Sequence, residues 1–510
     1  MRLADCLAPL VALLSSPHAA ARSAAAGALM QATQATRTNQ IKCRELGAIA
    51  PLLRLLEPPE EGPPDRECQR RGVWTLSNIA CEPTAAKQLR QSPSGFTPLI
   101  LLIAGGDPVL QRPASACLFN ASANDLGAPN AIESTGGLTA LTDALCYAAT
   151  KEHEEIVASC AGVLVNCAAQ KGFSVPMVAS EPLMLERLLG AISVDGYVPQ
   201  TGNAIGALMN ITREDNTTVD FMLADPSRMQ LLLAVMPANR EESAICCHAA
   251  GLIGNLAYGE AGREKMVEHL AVRGVIETLE ASEDDAQSCA CCVAMLNGCY
   301  GNVTIREHLL DCGGINALVA CLASENVDLK AAAAGALLNA SATGGCAEAI
   351  REASVEYEGG TKPPVSGFEL LLRLLTSDQP LLIGRAAGVL FNCAAFGPDT
   401  RLAMHEMGVL TGIVACLSNS NTALGAPKHT PRDLVYRIQS NLIGAVLNAA
   451  LNPTCKGAML KAGVMAPVVE ALGSPDETVG PGPGPGPGPG PGPGPGCIPC
   501  VDLPSARPCV

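Results

Sequence analysis

One short pattern returns along almost the whole chain: an apolar helix carrying a single asparagine. It reads ASACLFNASAND at Asn120, CAGVLVNCAAQ at Asn166 and AAGVLFNCAAFG at Asn392. Further copies stand at Asn78, Asn210, Asn255, Asn297, Asn339 and Asn448, and an upstream relative, AAAGALMQATQ, has Gln31 in that place. Successive copies lie 42 to 56 residues apart. Such a period belongs to stacked multi-helix repeats or to propeller blades.

The segments between the copies decide which. Each carries a glycine followed by an apolar run and a short turn, as in ELGAIAPLLRLLEPP, STGGLTALTDAL, DCGGINALVACLASENVD and HEMGVLTGIVACLSN. Ile315, Leu318, Val319 and Leu322 recur at helical spacing, as one face of an amphipathic helix requires. A glycine before such a helix permits a sharp bend. Strand-like alternation is missing, which removes the propeller. The unit is therefore a short helix, a glycine bend, a second helix, a turn and a third helix bearing the asparagine.

That unit resembles the armadillo repeat, and the resemblance covers about residues 1–473. It implies an all-α, right-handed superhelical solenoid of three-helix repeats whose third helices line a concave groove. Ten third-helix motifs are expected, with partial first and last repeats. Residues 1–31 supply only a second and a third helix, and the Ala-rich opening helix is a poor cap for a solenoid end. An additional N-terminal element, from the same protein or a partner, is the expectation. Residues Gly480–Gly496 alternate proline and glycine, a composition that supports neither helix nor ladder, so 474–510 is expected to be a disordered tail. The Pro/Gly-rich inserts at 57–67, 354–367 and 420–433 are expected to be surface loops.

Composition narrows the function. Hydrophobic residues make up 48% but aromatics only 3%, so the core is aliphatic and small, which suits closely packed helices. A formal net charge of −15 opposes a general nucleic-acid surface, which needs a basic footprint. No apolar run approaches the roughly 20 residues of a membrane span. Of the 23 cysteines, those such as Cys117, Cys160, Cys167 and Cys393 lie singly within apolar helical patterns. There a free thiol acts as a small hydrophobe, and a reducing cytoplasmic or nuclear compartment follows. The groups CHAAG, SCACC and CIPC lack the four paired ligands of a zinc site. No phosphate-binding loop, nucleophile elbow or HExxH is present, so neither a catalytic residue nor a cofactor is assigned.

The candidate binding residues are Arg71, Trp74, Asn78, Asn120, Asn166, Asn210, Asn255, Asn297, Asn339, Asn392 and Asn448. A primary amide both donates and accepts, so a ladder of them suits the main chain of an extended peptide. The alternative is that each amide bonds within the array. Arg71, Asn203, His248, Arg385 and Asn441 lie two turns before an asparagine, and Glu82, Asn124, Gln170, Glu214 and Asn452 one turn after. In the nuclear-import adaptors of the family, groove tryptophans recur four positions before the asparagine. Here only Trp74 does so; Gly27, Ala116, Gly162, Gly206, Gly251, Val293, Gly335, Gly388 and Gly444 occupy the other places. Small residues there suit close packing of neighbouring third helices.

These observations point to a non-enzymatic scaffold or adaptor that binds an extended segment of another protein. Two alternatives remain: an assembly co-chaperone of the type joining tetratricopeptide and armadillo repeats, and, more distantly, a nuclear-import adaptor. Partner identity and oligomeric state are not legible.

Overall fold

A computed structural model describes residues 3–58, 63–147, 153–356, 363–422 and 432–472. The described residues are helical almost throughout, and their helices follow the expected three-part order. Helices Leu3–Leu13 and Ala19–Thr33 form the partial first repeat. Arg37–Glu45, Ile49–Arg54 and Arg66–Ala80 form the first complete one. Pro453–Lys461 and Met465–Leu472 form a first and second helix at the end of the described residues. The tail from 474 onward lies outside them.

The helices gather into two compact units, one ending at Leu231 and the other starting at Leu232. In the first unit, third helices Ala19–Thr33, Arg66–Ala80, Pro108–Asn124, Glu154–Ala169 and Val198–Thr212 pack each against the next. In the second, Ser243–Leu256, Asp285–Cys299, Val327–Ala340, Pro380–Ala395 and Arg432–Ala449 do the same. Their cores are aliphatic: Leu76, Ile79, Leu99 and Leu118 in the first, Leu318, Leu337, Leu371 and Leu390 in the second, all essentially inaccessible. Each such side chain contributes about 2 kcal/mol of burial free energy. Cys117, Cys160, Cys167 and Cys393 are fully buried among them, and burial pushes the Cys160, Cys167 and Cys393 thiols up to about 12.

Local signals set the helix ends. Asp65, Asp107, Asp284 and Asn326 each accept a backbone N–H in the first turn of a third helix, satisfying donors that lack an intrahelical partner. Between first and second helices the backbone turns through the left-handed region, at Gly313 with φ 77°. Gly314 follows for a different reason: a Cβ there would lie 2.3 Å from Leu309 Cδ1. Leu270, with φ 53°, makes the same bend without glycine, so the bend is imposed by the packed helices on either side of it.

The inserts are only partly loops. Ser354–Val355 pairs antiparallel with Val365–Ser366, and Gly367 N–H donates to Ala353 O at 2.9 Å, so a two-rung hairpin frames the 354–367 insert. The insert at 57–67 ends earlier than expected, because Asp65 caps a helix that starts at Arg66. The 420–433 insert is shortened from both sides by helices reaching Thr422 and starting at Arg432. Among the described residues no single helix is long and apolar enough to cross a membrane. One bent pair, Pro398–Glu406 with Val409–Asn419, meets that length and composition only across a 74° break, and Met404, Val409, Ile413 and Leu417 on it are buried in the last complete repeat.

Candidate functional site

All nine asparagines of the series, and Gln31, lie on third helices. Eight of the nine are half-buried and Asn210 is buried, at 8% exposure. Alanine, glycine and leucine around them build helices slim enough to approach closely, and the amides use that proximity.

In the first unit Asn78 Nδ2 donates to Met30 O at 3.2 Å, Asn120 to Ser77 O at 3.1 Å and Asn210 to Val165 O at 3.2 Å. In the second, Asn297 donates to Gly254 O at 2.8 Å and Asn339 to Leu296 O at 2.8 Å. Asn392 follows to Leu338 O at 3.1 Å and Asn448 to Phe391 O at 3.4 Å. Every acceptor is the residue immediately before the preceding repeat's asparagine or Gln31. These carbonyls sit inside helices, and a carbonyl's second lone pair accepts the extra donor. Asn166 departs from the rule and donates to Ser122 Oγ at 2.9 Å.

A second rung lies two turns earlier. Arg71 Nη1 donates to Ser23 O at 3.2 Å and Asn203 Nδ2 to Ala158 O at 2.8 Å. Asn441 Nδ2 donates to Gly384 O at 3.5 Å, and Arg385 Nη1 bonds Ala331 O. Donor and acceptor are each displaced by seven residues from those of the asparagine rung. Seven residues are close to two helical turns, so both rungs fall on one stripe. Burial pulls the Arg385 guanidinium down to about 10.

The glycines four positions before the asparagines make this approach possible. A Cβ on Gly162 would meet Phe119 ring carbons at 2.6 and 2.7 Å and Asn203 Nδ2 at 3.0 Å. On Gly335 it would meet Leu296 Cδ1 at 2.5 Å and Arg385 Cζ at 3.0 Å, and on Gly388, Leu338 Cδ1 at 2.6 Å and Asn441 Nδ2 at 3.1 Å. The place that holds tryptophan in the import adaptors is here filled by the neighbouring repeats. Trp74 is half-buried on the helix that carries Asn78. Its neighbour Arg71 donates Nε to Glu67 Oε1 at 2.7 Å and lays Cδ 3.2 Å from the Cβ position of Gly27. The hydrogen bond from Arg70, with that from Arg71, holds the Glu67 carboxyl at about 2.

Residues one turn after the asparagines serve the helix junctions. Glu82 caps Pro83–Gln91 through Thr84 N and Ala85 N and pairs with Arg44 at 3.0 Å. Asn452 caps Pro453–Lys461, Asn124 donates to Asn120 O at 2.8 Å, and Glu214 accepts from Gly172 N at 2.8 Å. Two further sets escaped the sequence reading. Buried Gln69, Gln111, Gln200 and Gln287 donate to Leu56, Ile103, Ala191 and Thr278 O at 2.6 to 3.2 Å, tying the third helix to the second within a repeat. Their signal was a glutamine nine or ten residues before the asparagine. Arg263, Arg306 and Arg401 reach back from first helices to carbonyls ending the third helix before them, where cationic groups are favoured.

Among the described residues no group of three or more His, Cys, Asp or Glu side chains is placed to hold a metal ion. CIPC lies outside the described residues.

Residues 304–342, which span one three-helix unit, match the profile of the Armadillo/beta-catenin-like repeat. No curated protein matches the chain. Two solved structures share its fold over most of its length. One is a crystal structure of an engineered protein, with a TM-score of 0.70 and 23% identity over 88% of this chain and 99% of its own. The other comes from work on a conserved phosphorylation switch controlling the interaction between cadherin and beta-catenin. It has a TM-score of 0.68 and 15% identity, covering 93% of this chain and 92% of its own.

Proposed function

We propose that this chain, which has the fold of an armadillo solenoid and an armadillo-type repeat at residues 304–342, is a non-enzymatic scaffold that binds an extended segment of a partner protein along its third helices. The observation that carries this reading is the one-sided use of the asparagine amides. In Asn78, Asn120, Asn166, Asn210, Asn297, Asn339, Asn392 and Asn448 the Nδ2 group is committed to the preceding helix, which fixes the side chain and leaves Oδ1 as the group to meet a ligand. A row of carbonyl oxygens accepts from the main-chain N–H groups of an extended peptide, with the half-buried Phe119, Leu296, Leu338 and Phe391 as apolar neighbours. One such bond contributes about 1 kcal/mol, so recognition draws on several asparagines of a unit together. Arg71 and Trp74 border the first of them.

The net charge of −15 supports a protein partner in place of nucleic acid, and a cytoplasmic or nuclear setting accords with the free thiols. The work on cadherin and beta-catenin, from which one similar structure comes, concerns a protein–protein interaction. The glycine-filled tryptophan positions oppose an import adaptor that grips lysine stems.

The test is selection of peptides from a random displayed library on the full chain, followed by photo-crosslinking of the best binder. Crosslinks to third helices, with affinity lowered by Phe119→Ala or Phe391→Ala while the fold is retained, are expected. Crosslinks confined to first and second helices overturn the groove reading.

A further inference from the structure

The turn between Leu3–Leu13 and Ala19–Thr33, the two helices of the partial first repeat, carries Ser15, Ser16, Pro17 and His18. Two arginines from different repeats close on it. Arg22, one turn into Ala19–Thr33, reaches back and donates Nη1 to Ser16 O at 2.9 Å and to Pro17 O at 3.0 Å. Arg54, the last residue of Ile49–Arg54 in the next repeat, donates Nη2 to Ser15 Oγ at 3.2 Å. Ser16 Oγ accepts the His18 N–H at 3.2 Å. Ser15, Pro17, His18 and Arg54 are exposed and Ser16 is half-buried, so solvent reaches the turn.

The positive charge gathered here has no counterpart. In a chain with 49 acidic and 34 basic residues, neither Arg22 nor Arg54 forms an ion pair among the described residues. The acceptors they do have are a hydroxyl and two carbonyls, all neutral. Ala19–Thr33 adds to the imbalance, with no acidic residue in its first turn and no side-chain cap from His18. Its opening N–H groups therefore also favour a negative charge nearby.

We propose that Ser16 is a phosphorylation site for a protein kinase that reads Ser-Pro, and that Arg22 and Arg54 seat the phosphoserine. The donor is a nucleoside triphosphate. Ser16 Oγ bonds the γ-phosphorus, the bond from that phosphorus to the bridging oxygen breaks, and the nucleoside diphosphate leaves. The hydroxyl proton passes to the base of the kinase. The phosphate brings close to two negative charges and three acceptor oxygens, which the planar guanidinium forks match. Because Arg54 belongs to the next repeat, the modified turn is braced across the seam between the first two repeats.

A second Ser-Pro pair in the same unit lacks such a seat. At Ser92 and Pro93 the nearby Arg90 is already paired with Asp125, Ser94 donates to Glu57 Oε1 at 2.7 Å, and Ser92 Oγ donates to Gln88 O at 2.8 Å. A phosphate there meets a carboxylate and no uncommitted guanidinium.

The test incubates the native full chain with a purified proline-directed serine/threonine kinase and ATP, maps the phosphosites by peptide mass spectrometry, and follows each phosphate by 31P NMR as pH is varied. Phosphorylation of Ser16 is expected, and Ser16→Ala removes one resonance and so assigns it. Flanking cations favour the dianion, so this phosphate is expected to titrate below the ordinary value of about 6. Arg54→Gln is expected to leave the modification in place and raise the midpoint toward 6, with Arg54→Lys intermediate, and Arg22→Gln is expected to raise it as well. The proposal is overturned if the kinase modifies Ser92 while Ser16 stays bare, if Ser16 is modified only in denaturant, or if its midpoint is the same in the parent and in Arg54→Gln. Should Arg22→Gln fail to fold, the exposed Arg54 variants still decide.

Discussion

Asn339 Nδ2 donates to Leu296 O at 2.8 Å, and Leu296 is the residue directly before Asn297, the asparagine one repeat earlier. The same side chain that marks a repeat in the sequence thereby bolts it to its predecessor. Loss of the donor in Asn339→Ala is expected to cost about 1 kcal/mol, because Leu296 O keeps its own helix bond. Asn339→Asp presents a carboxylate oxygen to that carbonyl and is expected to cost more than alanine. Urea midpoints of the two variants check the order; equal stability with the parent for both removes the rung.

The glycine positions separate by how stiff the neighbour is. An alanine Cβ at 162 meets the Phe119 ring at 2.6 Å, whereas at 27 it meets Arg71 Cδ at 3.2 Å. Gly162→Ala is expected to destabilise by about 1–3 kcal/mol through overpacking. Gly27→Ala is expected to be neutral or to stabilise by up to about 1 kcal/mol through helix propensity. Thermal melts of the two variants side by side show whether their shifts have different signs.

Asp215 gives an acid-sensitive contribution. Burial raises its carboxyl, but hydrogen bonds from Thr217 and Thr218 outweigh this and hold it below its ordinary value. Thr218 N donates at 2.9 Å and Thr217 Oγ1 at 2.7 Å. A depressed folded value means stability that is complete above about pH 4, the unfolded value, and is lost as pH falls through the folded one. Asp215→Ala is expected to cost about 1 kcal/mol at neutral pH and to flatten the decline in urea midpoint toward pH 3. An unchanged acid limb rules the assignment out.

Arg306 is 9% exposed and donates Nε to Cys299 O at 2.9 Å. Arg306→Gln is expected to cost about 2 kcal/mol, as a charged hydrogen bond at a helix C-terminus is lost. The matching change at Arg263, whose acceptors are Ala257 O and Tyr258 O, is expected to cost less because that site is more open. Chemical denaturation of both variants tests the ranking.

The period, the three-helix order and the asparagine positions were all legible, because each is a pattern along the chain. The direction of the asparagine bonds was not, since donor and acceptor lie 43 residues apart at Asn339 and Leu296, and no local spacing encodes that meeting. Leu270 hid a bend that a glycine search cannot find, because packing on both sides forces its φ. The crowding at Gly162 was anticipated as close packing, but its agents, Phe119 and Asn203, belong to adjacent repeats. The 354–367 hairpin was hidden by its brevity: two residues per strand leave no alternation to detect.

Apart from that of Asn166, which uses Ser122 Oγ, the inter-repeat rungs described above join one side-chain N–H donor to a main-chain oxygen. The socket is therefore present on every repeat whatever its sequence, and only the plug must be written into the gene. A repeat that carries an asparagine at the right place docks onto any predecessor of the same helical form, so such an array can gain, lose or exchange whole units by recombination without re-matching both sides of the joint.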